Sequence, residues 1–168
     1  MEILKPIEQL CDELKLSTIV EQYSQISILA AKENWNYSQF LEELLQKEYD
    51  ARMSRSKTIL TKMAGFPTIK TIEQFDYSFT IGVNRKQIEE LATLNFVKKH
   101  ENIIFLGQPG VGKTHLAIAL AYKAVLHRYK VRFTTITDLI ADANKAKRDK
   151  RYDSFLKMIV SPSILIID

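Results

Sequence analysis

Residues 107–114 constrain the fold of this chain most, because they match the pattern G-x-x-x-x-G-K-[ST]. In that pattern the glycines let the backbone wrap closely around phosphate groups. The pattern requires a buried strand before the loop and a helix after it. Residues 102–106 are apolar and predict the strand, and residues 113–129 predict the helix. The sequence therefore predicts a phosphate-binding loop of the Walker A type.

The residue types of this loop indicate how it would bind a nucleotide. Successive backbone N–H groups and the helix N-terminus would face the anion. Lys113 would reach the β- and γ-phosphates, and the Thr114 hydroxyl would hold Mg²⁺. We assign the His115 side chain no chemistry and expect it to pack. The candidate nucleotide-binding residues are Gly107, Gln108, Pro109, Gly110, Val111, Gly112, Lys113, Thr114 and His115.

Residues 163–168 are a run of apolar residues that ends in the carboxylate of Asp168. That is the form of a Walker B strand, whose aspartate completes the Mg²⁺ shell through water. Thr114 and Asp168 are therefore the candidate metal residues. In hydrolysing proteins of this class, the next residue is usually the acid that orients the attacking water. The sequence ends at Asp168, so we name no catalytic residue.

Composition narrows the class of protein. A chain of 168 residues allows one domain with a small appendage, and 46% hydrophobic residues support a real core. Cys11 is the single cysteine, and its helical spacing with Ile7, Leu10 and Leu14 predicts a core position. The sequence contains no apolar run of about 18 residues. We therefore expect no membrane span, and the lack of a signal-peptide core predicts a cytoplasmic protein.

Basic residues are concentrated in the nucleotide-binding part of the chain. Residues 101–168 carry 11 lysines and arginines against 6 aspartates and glutamates. This clustering indicates a polyanion as partner, although a solvated helix face would give the same pattern. The candidate DNA-binding residues are Lys145, Lys147, Arg148, Lys150 and Arg151.

Three regions follow one another along the chain. Residues 1–63 predict a small all-helical N-terminal region, which we expect to bind DNA or a partner. Asn36 and Gln39 are predicted to cap its third helix, which either runs for more than 25 residues or breaks near residues 54–56. Residues 64–100 predict a linker that straps onto a neighbouring core and then a helix over about residues 87–99. Residues 101–168 predict the N-terminal part of an ATP-binding domain.

The third region alternates strands and helices. Strands are predicted over residues 102–106, 131–136 and 164–168. Thr137 or Asp138 is predicted to cap the helix that follows the second strand. The alternation predicts an α/β fold with a parallel sheet and right-handed crossovers.

The longer string from Glu101 to Ala117 resembles a known family. Its form Gly-x-Pro-Gly-x-Gly-Lys-Thr resembles the AAA+ superfamily, and the whole string resembles IstB-type transposition helper ATPases and the related DnaC-type helicase loaders. The upstream stretches 66–76 and 88–96 are typical of the IstB side. Gln108 departs from the pattern, since the family usually has proline there. This position contributes backbone, so we expect little effect.

The resemblance implies a fold and a function. The fold would be a P-loop AAA+ core, three layers around a parallel sheet with strand order 5-1-4-3-2. ATP and Mg²⁺ would bind between neighbouring subunits of a homo-oligomer. That oligomer would assemble on duplex DNA, bend it, and present it to a transposase, which triggers ATP hydrolysis. Relatives contact nucleic acid through the region after the second strand, where residues 145–151 fall.

The residues present supply only the first three strands of that order. We therefore expect an incomplete core, C-terminally truncated after Asp168, with weak nucleotide binding and negligible hydrolysis. The acid, the sensor residue and the arginine finger of the family would lie outside it, so enzymatic activity stays open. Two alternatives also stay open. One is a DnaC-type replicative helicase loader, and the other is a truncated, non-hydrolysing interaction module or remnant.

Overall fold

The computed structural model describes residues 6–78 and 82–168. The chain divides into two compact units, Met1–Ser56 and Lys57–Asp168, and their boundary falls inside one long helix. Within the described residues, no helix combines the length and the apolar composition that a bilayer crossing requires.

The first unit is all-helical. It contains α1 (Ile7–Glu13), α2 (Ser17–Lys32) and the first part of α3 (Tyr37–Ala64), which runs unbroken for 28 residues. Asn36 and Gln39 form the predicted capping pair, because the side-chain oxygen of each accepts the backbone N–H of the other at 2.9 Å.

The core of this unit includes the cysteine. Cys11 is buried with Ile19, Ile26 and Leu44, as its helical spacing predicts, and Trp35 packs against them. Two apolar residues of the same helical stripe lie outside this core, since Leu10 is 42% exposed and Leu14 is 65% exposed.

A buried carboxylate joins the α1–α2 turn to α3. Glu48 of α3 is 3% exposed, and its Oε2 accepts the backbone N–H of Thr18 at 2.8 Å. Its Oε1 accepts from Arg52 Nε at 3.0 Å and from an Arg55 guanidinium nitrogen at 3.1 Å. Arg52 also donates to the carbonyl of Lys15 at 2.5 Å. We call these four hydrogen bonds the Glu48 clamp.

The second unit alternates helices and strands. In two places a helix of this unit begins at a different residue from the one predicted, and in each case the residue before the helix gives the reason. Leu94 has a left-handed φ of 62°, which divides the predicted 87–99 helix in two. Thr135, rather than Thr137 or Asp138, caps α7, because its hydroxyl accepts the Asp138 N–H at 3.1 Å. The elements are α4 (Arg85–Leu91), α5 (Asn95–Lys98), α6 (Lys113–Leu126), β1 (Val131–Thr134), α7 (Ile136–Arg148), α8 (Tyr152–Val160) and β2 (Ile164–Ile167).

The two strands pair in parallel, with Val131 opposite Ile164 and Thr134 opposite Ile167. Alternate side chains of β1 point to opposite faces of the sheet. Val131 and Phe133 join the core that α6 completes with Ala121, Ala124 and Val125. Helices α7 and α8 pack on each other, and the Arg132 side chain lines a cleft with both of them. The fold is therefore α/β with a small parallel sheet.

Residues 102–106 are not a strand, although their composition predicts one. Ile104 is 78% exposed and Leu106 is 89% exposed. A cleft of about 630 Å³ lies between this segment and β2, and both line it. Among the described residues the sheet consists of β1 and β2 alone, so the backbone of this segment has no ladder partner there.

Candidate functional site

The predicted phosphate loop connects the 102–106 segment to α6. Gly110 and Gly112 have left-handed φ values of 83° and 88°, which residues with a Cβ rarely adopt. Gly112 is the N-cap of α6. Residues 107–110 are exposed, so the outer side of the loop is open to a ligand.

An aromatic ring supports the loop from below. A Cβ added at Gly112 would lie 2.6 Å from Cε2 of Phe75, so the backbone of the loop rests directly on that ring. Phe75 is buried with Ile88 and Leu116, which lies on the first turns of α6. Phe75 belongs to the irregular segment before α4, so the position of that segment limits how closely the loop backbone can pack on the ring.

His115 attaches the same segment to α6. Its Nε2 lies 3.0 Å from the carbonyl oxygen of Thr71, which can only accept, so Nε2 carries the proton. Its ring meets Phe75 edge-on, with the ring centroids 5.3 Å apart. The His115 side chain thus contacts the 65–78 segment, and its backbone N–H lies in the first turn of α6.

Two further groups of this segment have altered acidities. Burial raises the pKa of the Tyr77 hydroxyl above its ordinary value, and that hydroxyl has no hydrogen-bond partner among the described residues. Hydrogen bonds from its own backbone and from Thr71 lower the pKa of exposed Glu73. Neither group contacts the phosphate loop.

Lys113 and Thr114 open α6 and make the most informative contacts of the site. Lys113 Nζ donates to the loop carbonyls of Gly107, at 3.0 Å, and Gln108, at 2.8 Å. Thr114 Oγ1 donates to Asp168 Oδ1 at 2.7 Å, across 54 residues of sequence. The fold therefore brings together the two side chains that the sequence names as metal residues.

The backbone of Asp168 is attached to the end of β1. Its N–H donates to the Thr134 carbonyl at 3.1 Å, and its carbonyl accepts the Ile136 N–H at 3.0 Å. Parallel strands end at the same edge of a sheet, and in open α/β sheets ligands bind at that edge. The Asp168 carboxylate is thus held at the carboxyl edge of the sheet, beside the N-terminus of α6.

These groups fit a nucleotide with its magnesium ion. Mg²⁺ is usually bound by one or two protein oxygens together with substrate phosphates and water, rather than by an all-protein cage. A hydroxyl that donates to a carboxylate still has a free lone pair for a cation. Elsewhere in the described residues, no group of three or more His, Cys, Asp or Glu side chains could hold a metal.

The predicted DNA-binding residues lie together at the α7–α8 turn and are exposed. Lys145, Lys147 and Arg148 form the last turn of α7, where the helix dipole favours cations. Arg151 pairs with Asp149 at 2.8 Å, and Lys147 Nζ lies 5.3 Å from the centre of the Tyr152 ring. Lys150 completes the group, which we call the α7–α8 basic cluster.

Comparison with known proteins identifies the family. The model of the family described as IstB-like ATP binding protein matches residues 9–168. The chain belongs to this family. Its ATP-binding character accords with the loop at residues 107–114 and with the Thr114–Asp168 contact.

The relatives are proteins of insertion sequences. The chain is 42% identical over 162 residues to a protein named as an ATP-binding protein of insertion sequence IS21, from Pseudomonas aeruginosa, and covers 61% of it. It is 38% identical over 162 residues to the corresponding IS5376 protein of Geobacillus stearothermophilus, and covers 64%. A third, from IS232 of Bacillus thuringiensis subsp. berliner, is 32% identical over 155 residues, with 62% covered. The matches take in 92–96% of this chain, which spans about three fifths of the length of these relatives.

Proposed function

We propose that the chain binds ATP with Mg²⁺ at the phosphate loop and serves as an ATP-binding helper of insertion-sequence transposition. The observation that carries the nucleotide part is the 2.7 Å hydrogen bond between Thr114 and Asp168. The loop at residues 107–112 would cradle the phosphates with its N–H groups. Lys113 would leave the carbonyls of Gly107 and Gln108 and pair with the β- and γ-phosphates.

Magnesium would bind between the phosphates and the Thr114–Asp168 pair. The Thr114 hydroxyl would ligate the ion directly while it still donates to Asp168, and the carboxylate would hold a water of the ion. The ion would supply positive charge against the terminal phosphates. The protein residues would hold and orient the nucleotide and its ion, and we assign none of these residues a bond-breaking step.

DNA and a transposase are the proposed partners, together with further copies of the chain. The names of the relatives place those proteins in insertion sequences. The α7–α8 basic cluster offers Lys147, Arg148 and Lys150 without a salt bridge to the described residues. Lysines and arginines of this kind bind the phosphates of DNA, and the binding weakens as salt displaces them.

The experiment that tests the metal contact compares ATP affinity with Mg²⁺ and with EDTA. We expect Thr114→Val to remove most of the gain that Mg²⁺ gives, because valine has the same shape and no hydroxyl. Thr114→Ser, which keeps the hydroxyl, should retain it. An equal gain from Mg²⁺ in the valine variant would refute the proposed metal site.

The DNA contact is tested by the double substitution Lys147→Ala and Arg148→Ala. With ATP present, we expect weaker binding to duplex DNA and a salt slope lower by about 2, since two phosphate contacts are lost. Lys157 is exposed on α8 outside the cluster, so Lys157→Ala is the matched control. If the double variant keeps its affinity and salt slope, the cluster is only a solvated face.

A further inference from the structure

A cleft of about 350 Å³ opens between β1, α7 and α8. Arg132 of β1 reaches into it from the sheet, on the face opposite Val131 and Phe133. Phe155 and Met158 of α8 supply an apolar wall. The cleft is separate from the phosphate loop, whose residues do not line it.

Arg132 is the unusual group in this cleft. Its Nε is buried and has no hydrogen-bond partner among the described residues, and its guanidinium forms no salt bridge with them. Arg132 is half-buried, and a partly desolvated guanidinium is stabilised when it pairs with a carboxylate or a phosphate. The Arg132 side chain is therefore available to bind an anion that enters the cleft.

The other charged groups of the cleft leave room for that anion. Lys145 lines the cleft and has no salt bridge to the described residues. Two carboxylates also line it, but Asp149 is already paired with Arg151 at 2.8 Å, which leaves Asp142. The remaining balance, from Arg132 and Lys145 against Asp142, is positive.

The cleft also offers a neutral donor, because the Ser154 hydroxyl lines it on the first turn of α8. A planar guanidinium, an ammonium and hydroxyl or N–H donors are together the usual environment of a phosphate oxyanion.

We propose that the Arg132 cleft binds a phosphate group, that of a backbone phosphodiester of DNA. Lys145 and Arg151 belong both to the cleft and to the α7–α8 basic cluster, so one DNA strand can contact the two together. The inference rests on the proposed DNA contact of that cluster and adds Arg132, which the charge pattern of the sequence does not single out. Arg132 would anchor one phosphate from the sheet side while the cluster contacts its neighbours.

The test uses the full chain labelled with ¹⁵N. The Nε–H resonance of Arg132, assigned by its loss in Arg132→Gln, is followed during titration with inorganic phosphate and with duplex DNA at constant ionic strength. We expect both titrants to shift it. We also expect Arg132→Gln to weaken DNA binding about tenfold, as loss of one charge-assisted contact does, and to lower the salt slope by about 1.

Arg128→Gln is the matched control, because Arg128 is exposed and lies outside the cleft. The substitution removes one positive charge, as Arg132→Gln does. If Arg132→Gln weakens DNA binding no more than Arg128→Gln, and DNA leaves the Arg132 resonance unmoved, the proposal is overturned. The double variant Lys147→Ala and Arg148→Ala tests the proposed DNA contact of the α7–α8 basic cluster independently of Arg132. A shift with inorganic phosphate alone would overturn the DNA assignment and leave a free phosphate as the ligand. If Arg132→Gln fails to fold, Arg132→Lys, which keeps the charge and also lacks the Nε–H, assigns the resonance, and the wild-type titration then decides.

Discussion

Replacing Glu48 with glutamine removes the charge at the centre of the Glu48 clamp and keeps its shape. The carboxylate accepts the N–H of Thr18 and two bonds from Arg52 and Arg55. Glutamine offers one acceptor oxygen and one donor nitrogen. The glutamine amide can take either of two orientations. In each of them, its NH2 group replaces the oxygen that accepted from Thr18 or from the arginine pair, so two donors then face each other.

The magnitude follows from the exposure of each partner. The side chains of Arg52 and Arg55 are each 50% exposed, so both can return to water when the clamp breaks. The Glu48 side chain is 3% exposed, and what replaces it stays buried. A buried hydrogen bond to a charged group contributes about 1.5–3 kcal/mol. We expect Glu48→Gln to lower the free energy of unfolding of the first unit by about 2 kcal/mol at pH 7.

The same carboxylate predicts a dependence on pH. Burial raises the pKa of Glu48, but the bonds from the Thr18 backbone and from Arg52 outweigh it, so the pKa lies below its ordinary value of 4.5. A group whose pKa is lower in the folded state stabilises the fold above its unfolded pKa. That stability is lost as the pH falls through the folded pKa. The difference between wild type and Glu48→Gln should therefore be constant above about pH 5 and shrink below pH 4.5.

Trp35 makes the assay specific to this unit. It is the single tryptophan of the chain and packs against the core of the first unit, so its fluorescence reports the unfolding of that unit in urea. Glu43→Gln is the matched control, since Glu43 also lies on α3 but forms an exposed pair with Lys47. Such pairs contribute about 0–1 kcal/mol. Equal losses in the two variants, or a difference that persists unchanged at pH 3, would refute the reasoning.

Two further outcomes follow from the second unit. Gly112→Ala should destabilise this unit by about 1–3 kcal/mol, because the new Cβ adopts a left-handed φ and overlaps Phe75. Thermal unfolding measures this cost, and equal stability would show that Phe75 moves aside freely. The double variant Ile104→Lys and Leu106→Lys should reduce self-association at high concentration, because both side chains are more than three-quarters exposed on an unpaired segment. Sedimentation velocity measures the change. An unchanged distribution of sedimentation coefficients would show that this segment does not mediate self-association.

Local patterns predicted much of the fold. The spacing of apolar residues predicted the helices of the N-terminal region, and the Asn36–Gln39 pair predicted where α3 begins. That spacing left open whether α3 breaks near residues 54–56, and the helix is unbroken there. These features depend on residues three or four positions apart. The same logic failed at Leu94, where one left-handed residue divides a continuous apolar pattern. It also failed at residues 102–106, because a strand needs a partner that composition does not report.

The candidate site shows the same division. The glycines, Lys113 and Thr114 were predicted from a contiguous pattern, and Asp168 from the apolar strand before it. The support of the loop by Phe75 was not foreseen, although the aromatic residues of the 65–78 segment predicted that it packs on a core. Arg132 gave no sequence signal, since its lack of a partner depends on how α7 and α8 cover the sheet.

The central claim is that residues 107–114 bind ATP, and calorimetric titration of ATP with Mg²⁺ tests it most directly. We expect saturable binding by the wild-type chain and an affinity lower by about tenfold to a hundredfold in Lys113→Ala, which loses charge-assisted contacts to the phosphates. Lys130→Ala is the control, because Lys130 is exposed and lies outside the loop. Equal affinities in Lys113→Ala and Lys130→Ala, or no binding by the wild-type chain, would contradict the claim.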